Sequence, residues 1–213
     1  MRRLRRTGGP SADGFAVVTP RARPLFEQTW PEGEYRFFQI GYVVDDIVSA
    51  ASRWASTFGV GPFHVLPAVD QQLTNADNGM QTLRIQVGVA QAGPVQIELI
   101  QQHCDTPSLY RDWSKEGTSA FHQIATVTND YVAKVAGFQA LGYEVTAESL
   151  GGSFRVAYVD TVATFGFYTE VVEHTPRFLE QLQSISSTCA RWDGTDPVRL
   201  LTRGGYRVPD DGH

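Results

Sequence analysis

The chain carries one pattern twice. Residues 38–48 read FQIGYVVDDIV, and residues 122–132 read HQIATVTNDYV. Each copy begins with a short alternating run, passes through a pair of acidic or amide residues, and enters an amphipathic stretch. A duplicated unit that pairs with itself predicts one curved sheet with a cavity inside it.

Each copy also ends in a strand-like run that carries a glutamate. The first run is VQIELI at 95–100, and the second is FYTEVV at 167–172. We expect glutamine to face glutamine, and glutamate to face glutamate, across the cavity. The residues at these equivalent places are Gln39, Gln123, Glu98 and Glu170.

The first copy, residues 36–103, is predicted to follow the order strand, helix and three strands. Asp45-Asp46 begin the helix, because acidic side chains cap exposed N–H groups and complement the helix dipole. Gly59 ends the helix. Residues 71–80 include Asn-Ala-Asp-Asn-Gly and are predicted to form a loop. The strands are predicted at 37–44, 63–69, 82–89 and 95–101.

The second copy, residues 119–173, is predicted to have the same order. Its helix spans 129–141, and its strands span 121–127, 143–147, 154–159 and 165–172. A connector helix is predicted within 104–118, where Leu109, Tyr110 and Trp113 lie.

The two ends of the chain lie outside the repeat. Residues 1–35 are rich in Arg, Gly and Pro and are predicted to be a disordered or extended tail. In residues 174–213, His174-Thr175-Pro176 begins a helix that runs to about Cys189. The turn-rich segment after it is expected to pack on the outside.

The composition of the chain argues against some kinds of binding partner. A net charge of −5 and a pI near 5.5 argue against a nucleic-acid or membrane-surface partner. No run approaches the ~18–20 apolar residues of a membrane span, and the start lacks the apolar stretch of a secretory signal. Cys104 and Cys189 lack metal-type spacing and are expected to be free thiols. We therefore expect a cytoplasmic protein that binds a small molecule.

A strand-helix-strand-strand-strand unit present twice resembles the vicinal oxygen chelate superfamily. Its members include glyoxalase I, methylmalonyl-CoA epimerase, extradiol dioxygenases and the bleomycin- and fosfomycin-resistance proteins. The resemblance covers about residues 37–173 and implies an α+β fold. Two βαβββ modules would form a curved mixed sheet around a cavity, with a C-terminal helical extension. The motifs that carry it are QIGYVVDD at 39–46, VQIELI at 95–100, FHQIATV at 121–127 and GFYTEVVE at 166–173. The segment 108–125 is most similar to epimerase-like members.

The resemblance also implies where a metal would bind. In metal-bearing members, each module supplies one ligand at its first strand, usually His, and one in its last strand, usually Glu or Gln. Here those places hold Gln39, Glu98, Gln123 and Glu170, so both usual histidines are glutamines. An all-oxygen set suits Mg²⁺, Mn²⁺ or Ca²⁺ better than Zn²⁺. Because a neutral amide is a weak ligand, the expected cofactor is either none or such a divalent metal.

Without a metal, the two glutamates suit acid–base chemistry. Two carboxylates that face each other in an apolar cavity repel, so at least one pKa should be raised. Glu98 and Glu170 are therefore predicted to be catalytic, and Gln39 and Gln123 to polarise a substrate carbonyl. The predicted function is an isomerase-, epimerase- or lyase-like enzyme. It would transfer protons on a medium-sized, partly apolar carbonyl compound, such as a thioester or a secondary metabolite.

Two other functions stay open on the sequence. A non-catalytic ligand-binding protein of the antibiotic-resistance type would need no acid or base. A metal-dependent lyase or cyclase would use the four-residue site differently. In each case we expect a homodimer.

Three further residues are candidates for substrate binding: Phe63, His64 and Trp113. Each also has a structural interpretation, as a core, surface or connector residue. His122 precedes the predicted ligand position of the second copy. Because side chains alternate along a strand, it is expected on the face opposite Gln123.

Overall fold

A computed structural model of the protein describes residues 36–75, 79–111, 113, 119–149 and 153–210. The first module contains β1 (Arg36–Val43), α1 (Ile47–Phe58), β2 (Phe63–Val65), β3 (Val69–Asn75), β4 (Gly79–Ala92) and β5 (Val95–Gln102). The second contains β6 (Ala120–Thr128), α2 (Tyr131–Ala140), β7 (Val145–Ser149), β8 (Val156–Val159), α3 (Val162–Phe165) and β9 (Tyr168–Glu173). After them come α4 (Pro176–Cys189), β10 (Val198–Thr202) and β11 (Gly205–Arg207).

Two predicted segments fall wholly or partly outside this description. The N-terminal tail at 1–35 lies outside the described residues. Most of the second half of the predicted connector helix also lies outside them. In its described part, residues 109–111 form a turn, and Trp113 N–H donates to the Tyr110 carbonyl.

The two modules close into one ring of strands. Within the modules the strand orders are β1-β5-β4-β3 and β6-β9-β8-β7, and the β1–β5 and β6–β9 pairs are parallel. The modules join through the antiparallel pairs β1–β6 and β3–β7, so eight strands enclose an interior. The predicted α+β fold, a curved mixed sheet around a cavity, is confirmed.

Two helices cover the outer face of this sheet. Asp46 accepts a hydrogen bond from Ser49 N–H and begins α1, and Gly59 ends it in the left-handed conformation, at φ 66°. Asp130 caps α2 in the same way, accepting from Ala133 N–H. The helix boundaries predicted from Asp45-Asp46 and Gly59 are therefore confirmed.

The third long helix, α4, packs inside the ring. Thr175 caps it and Pro176 occupies its first turn, so the predicted start is confirmed. Its Phe178 and Leu182 belong to the same buried cluster as Phe38 of β1, with the Phe38 and Phe178 rings 5.6 Å apart. None of the helices in the described part is long and apolar enough to cross a membrane.

Two predictions about local structure are wrong. Residues 71–75 are not a loop but the greater part of β3, which is extended and pairs with β4. This strand buries only Leu73 and exposes polar residues, so its composition resembled that of a loop. The C-terminal segment does not merely pack on the outside, because β10 pairs in parallel with β2 and extends the sheet.

Candidate active site

A β-bulge in each module directs two consecutive side chains into the ring. In β1, Phe37 pairs with Thr126 and Gln39 with Ala125, so Phe38 is the extra residue. In β6, Gly41 pairs with Gln123 and Tyr42 with Phe121, so His122 is the extra residue. The bulges fall at equivalent places of the repeat.

The bulge overturns the expected position of His122. Its ring is fully buried, and its Nδ1 lies within hydrogen-bonding distance of Oε1 of Gln123, the neighbour that it was expected to oppose. Strand alternation failed here because the bulge adds one residue to the period of two.

Each inward glutamine lies opposite a small residue of the other module. Gln39 pairs with Ala125, and Gln123 pairs with Gly41. A Cβ on Gly41 would lie 2.6 Å from Cδ of Gln123, so the glutamine side chain occupies that space. Because Gly41 also pairs with Glu98 on its other side, Gln123 reaches across β1 to Glu98.

The two glutamates meet at one amide nitrogen. Nε2 of Gln123 donates to Oε2 of Glu98 at 3.0 Å and to Oε2 of Glu170 at 3.2 Å. The two carboxylate oxygens are therefore no more than about 6 Å apart. The structure brings together three of the four residues that the repeat placed in equivalent positions.

A chain of tyrosines extends the network on the side of Glu170. The Tyr158 hydroxyl donates to Oε1 of Glu170 at 3.1 Å, and the Tyr110 hydroxyl donates to the Tyr158 oxygen at 2.8 Å. Burial is the largest cause of the raised pKa of both tyrosines, which keeps them neutral donors. Glu170 therefore has one donor more than Glu98.

The surroundings raise the pKa of both carboxyl groups. Burial, opposed by the hydrogen bonds from Tyr158 and Gln123, raises the pKa of Glu170 to about 7. Burial and the nearby charge of Glu170 raise the pKa of Glu98 well above its ordinary value, and the Gln123 hydrogen bond opposes them. Near neutral pH the pair therefore shares about one proton, with the negative charge best supported on Glu170.

His122 lies beside the shared amide. Burial lowers the pKa of His122 to about 4, so the ring is neutral and carries a single N–H. We assign that N–H to Nδ1, donating to Oε1 of Gln123, because this leaves the amide NH₂ facing the two carboxyl groups. In this tautomer Nε2 has no hydrogen to donate to the Leu109 carbonyl oxygen, which lies 3.2 Å away.

A cavity of about 170 Å³ borders the pair. Glu98 keeps a partly accessible surface that faces this cavity, whereas Glu170 is 5% exposed. Apolar side chains of β4, β5, β8 and α4 form most of the other walls. Gln39 and Gln96 also line it, and Nε2 of Gln39 donates to Oε1 of Gln96 at 2.7 Å.

The family model of the Glyoxalase/Bleomycin resistance protein/Dioxygenase superfamily matches residues 38–158, more than half of the chain. The chain belongs to this superfamily. A search of curated proteins found no match.

Several solved structures are similar to this superfamily member. Methylmalonyl-CoA epimerase from Mycobacterium tuberculosis has a TM-score of 0.49 and 17% identity, over 71% of this chain and 96% of that one. A Streptomyces coelicolor methylmalonyl-CoA epimerase variant in complex with 2-nitronate-propionyl-CoA has a TM-score of 0.47 and 21% identity, over 67% and 99%. A hypothetical protein from Bacillus halodurans C-125 has a TM-score of 0.49 and 14% identity, over 67% and 96%. At these identities the roles of single residues do not transfer.

In this protein, the residues at the four metal-ligand positions of the family are poorly arranged to bind a divalent cation. Gln123 turns its amide nitrogen, not its oxygen, toward both carboxyl groups, and its oxygen faces His122. The NH₂ group thus takes the place between the carboxyl groups where a cation would lie. No group of three or more His, Cys, Asp or Glu side chains in the described part is arranged to hold a metal. The expected Mg²⁺, Mn²⁺ or Ca²⁺ stays a prediction.

The predicted substrate-binding residues do not line the cavity. Phe63 is buried with the α1 side chains on the outer face of the sheet. His64 lies beside Arg199 of β10, and burial followed by that positive charge lowers its pKa. Trp113 packs on the rings of His122 and Tyr168, at 5.6 and 5.3 Å, and so supports the network from behind.

Sequence reasoning did not single out two residues of this site. Tyr158 lies in a run of four buried residues, where no alternation marks the inward face. Gln96 precedes Glu98 by two positions, so strand periodicity alone places both on one face. That signal was present in the motif VQIELI.

Proposed function

We propose that this protein is an isomerase-, epimerase- or lyase-like enzyme that moves a proton to and from a carbon next to a carbonyl group. Glu170 is the base and Glu98 is the acid. The observation that carries this proposal is the placement of both carboxyl groups on one amide nitrogen at the wall of a largely apolar cavity. Such a pair supplies an acceptor and a donor of protons at the same pH.

The division of roles follows from the hydrogen bonds. Among the described residues, Glu170 accepts from Tyr158 and Gln123, which stabilise its charged form, while Glu98 accepts from Gln123 alone. The Glu170 carboxylate takes the proton from carbon, the C–H electron pair forms a C=C bond to the carbonyl carbon, and the C=O π pair moves onto oxygen to give an enolate. The Glu98 carboxyl then gives its proton to the enolate, at oxygen or at carbon. Return of a proton from Glu170 to Glu98 restores the starting state.

The size of the cavity supports a compact reacting group. A cavity of about 150 Å³ holds one benzene molecule, so 170 Å³ suits one ring or a short branched acyl chain. A neutral Gln supports an enolate less well than a cation does, so the reacting carbon must already be acidic. A ketone or a thioester meets that condition.

The test is hydrogen exchange in deuterated water. Cyclohexanone and S-methyl thiopropionate carry acidic C–H groups and are small enough for the cavity. Proton NMR follows the loss of the signal next to the carbonyl with wild-type protein, Glu98→Gln and Glu170→Gln. We expect catalysed exchange in the wild type and at least about a hundredfold loss in each variant.

Glu173→Gln is the matched control. Glu173 lies three residues after Glu170 on β9 but pairs with Arg155 at 2.6 Å and does not line the cavity. It should exchange at the wild-type rate. Equal rates in Glu98→Gln, Glu170→Gln and wild type would overturn the mechanism. Binding of either compound without exchange would favour the non-catalytic ligand-binding function. The homodimer and the cytoplasmic location stay predictions.

A further inference from the structure

The amide of Gln96 is a polar group in the cavity that has no role in the proton-transfer mechanism. Gln96 is 2% exposed and lines the cavity. Its Oε1 accepts from Gln39, but its buried Nε2 has no hydrogen-bond partner among the residues that the structure describes. An unpaired buried amide donor is unfavourable, so a site that retains one gains when a ligand supplies an acceptor.

The position of this donor relative to the acid is fixed by the strand. Gln96 and Glu98 are two residues apart on β5 and project from the same face, with their Cα atoms about 6.5–7 Å apart. Gln39 pairs with Gln96 in the β1–β5 register and holds its oxygen at 2.7 Å, which turns the NH₂ group away from β1. A carbonyl oxygen bound at this NH₂ group would lie in the cavity that Glu98 also lines.

Gln123, one of the two glutamines predicted from the sequence to polarise the substrate carbonyl, already has hydrogen-bond partners within the protein. Gln123 uses its NH₂ group on Glu98 and Glu170, and its oxygen faces His122. We propose that Gln96, oriented by Gln39, is the donor that binds the carbonyl oxygen of the substrate in this cavity. The role of Gln96 in the reaction rests on the proposed function, whereas its binding of a carbonyl oxygen does not.

The test compares two ligands of one shape. Cyclohexanone carries a carbonyl oxygen where methylenecyclohexane carries a CH₂ group, so their relative affinity reports the contact made at that atom. Dissociation constants come from NMR titrations of wild type, Gln96→Leu and Gln71→Leu. Gln71 lines the same cavity from β3, so it provides the same substitution away from the proposed donor.

We expect Gln96→Leu to reduce the preference for the ketone over the alkene about tenfold, the effect of one hydrogen bond. Gln71→Leu should keep the wild-type preference. An unchanged preference in Gln96→Leu, or equal losses in both variants, would overturn the assignment. It would indicate that the Gln96 amide turns to the unpaired Oε1 of its cross-strand neighbour Gln91. Failure of the wild type to bind either compound would overturn it as well.

This experiment separates the two proposals because it needs no turnover. A ketone preference that depends on Gln96, without deuterium exchange, would keep the binding assignment and reject the proton-transfer function. Exchange that depends on Glu170, without a ketone preference that depends on Gln96, would keep the proton-transfer function and reject the binding assignment of Gln96.

Discussion

The missing side chain at Gly41 determines where the central amide of the site lies. The Gln123 side chain fills the space that a Cβ on Gly41 would occupy, and from there its amide reaches both carboxyl groups. In Gly41→Ala the new methyl group would lie 2.6 Å from Cδ of Gln123 and displace the amide. We expect deuterium exchange into cyclohexanone to fall at least about tenfold, since the pair loses the donor that stabilises its charge.

Ala125→Gly is the matched control, because Ala125 is the equivalent residue of the second copy and pairs with Gln39. It removes a methyl group without displacing Gln123, at a stability cost of about 0.5–1 kcal/mol. Exchange should stay near the wild-type rate. A Gly41→Ala variant that melts with the wild type and exchanges equally fast would show that the Gln123 amide is dispensable.

At the scale of residues, the sequence predicted which side chains lie together better than how they contact one another. The repeat alone identified Gln123, Glu98 and Glu170, because duplication puts equivalent residues near one axis. It could not show that His122 joins them, since the bulge that turns its ring inward is visible only in the β1–β6 register. Nor could it show that the Gln123 NH₂ group donates to the two glutamates, whereas the Gln96 NH₂ group has no partner among the described residues.

At the scale of elements, α4 determines how much space the site has. Its Phe178, Leu182 and Ile185 form one wall of the cavity. Leu182→Ala would remove buried methyl groups at a stability cost of about 2–5 kcal/mol and enlarge the space. We expect NMR titration to show 1-decalone, a ketone of two fused rings, gaining affinity relative to cyclohexanone.

The comparison is with Leu179→Ala, on the same helix but away from the cavity wall. This variant should leave the ratio of the two affinities at the wild-type value. If Leu182→Ala binds both ketones in the wild-type ratio, α4 does not limit the size of the ligand.

The sequence predicted elements wherever local chemistry marks them. Thr175 and Pro176 mark the start of α4, and Asp46 and Gly59 bound α1, because caps depend on neighbouring residues alone. It could not predict that α4 packs inside the ring of strands, since that depends on the space that the two modules enclose. It missed β3, whose polar face is solvated, and β10, whose partner β2 is more than 130 residues earlier.

Across the whole molecule, the buried acid pair links stability to pH. The groups around it are Gln123, the neutral His122, and the hydroxyls of Tyr110 and Tyr158. The pKa of Glu170 is about 7 in the folded protein against 4.5 ordinarily, so between these values the folded state binds more protons than the unfolded state. The free energy of unfolding therefore falls as pH rises through this range. His122 acts oppositely, because its pKa is lowered to about 4 and the unfolded state binds its proton first.

Glu170→Gln isolates the contribution of the carboxyl group, because the His122 contribution is present in both proteins and cancels in the difference. At pH 8 the folded wild type holds a buried charge on Glu170 that the variant lacks. At pH 5 Glu170 is protonated in the folded wild type, so this difference is absent. Urea unfolding at pH 5, 6, 7 and 8 should show the stability of the variant relative to the wild type rising from pH 5 to 7 and levelling off toward pH 8. Glu173→Gln should show no such rise, because Arg155 lowers the pKa of Glu173 and its charge favours folding. A difference for Glu170→Gln that stays constant from pH 5 to 8 would mean that Glu170 titrates alike in the folded and unfolded chains, and the shared-proton pair would have to be abandoned.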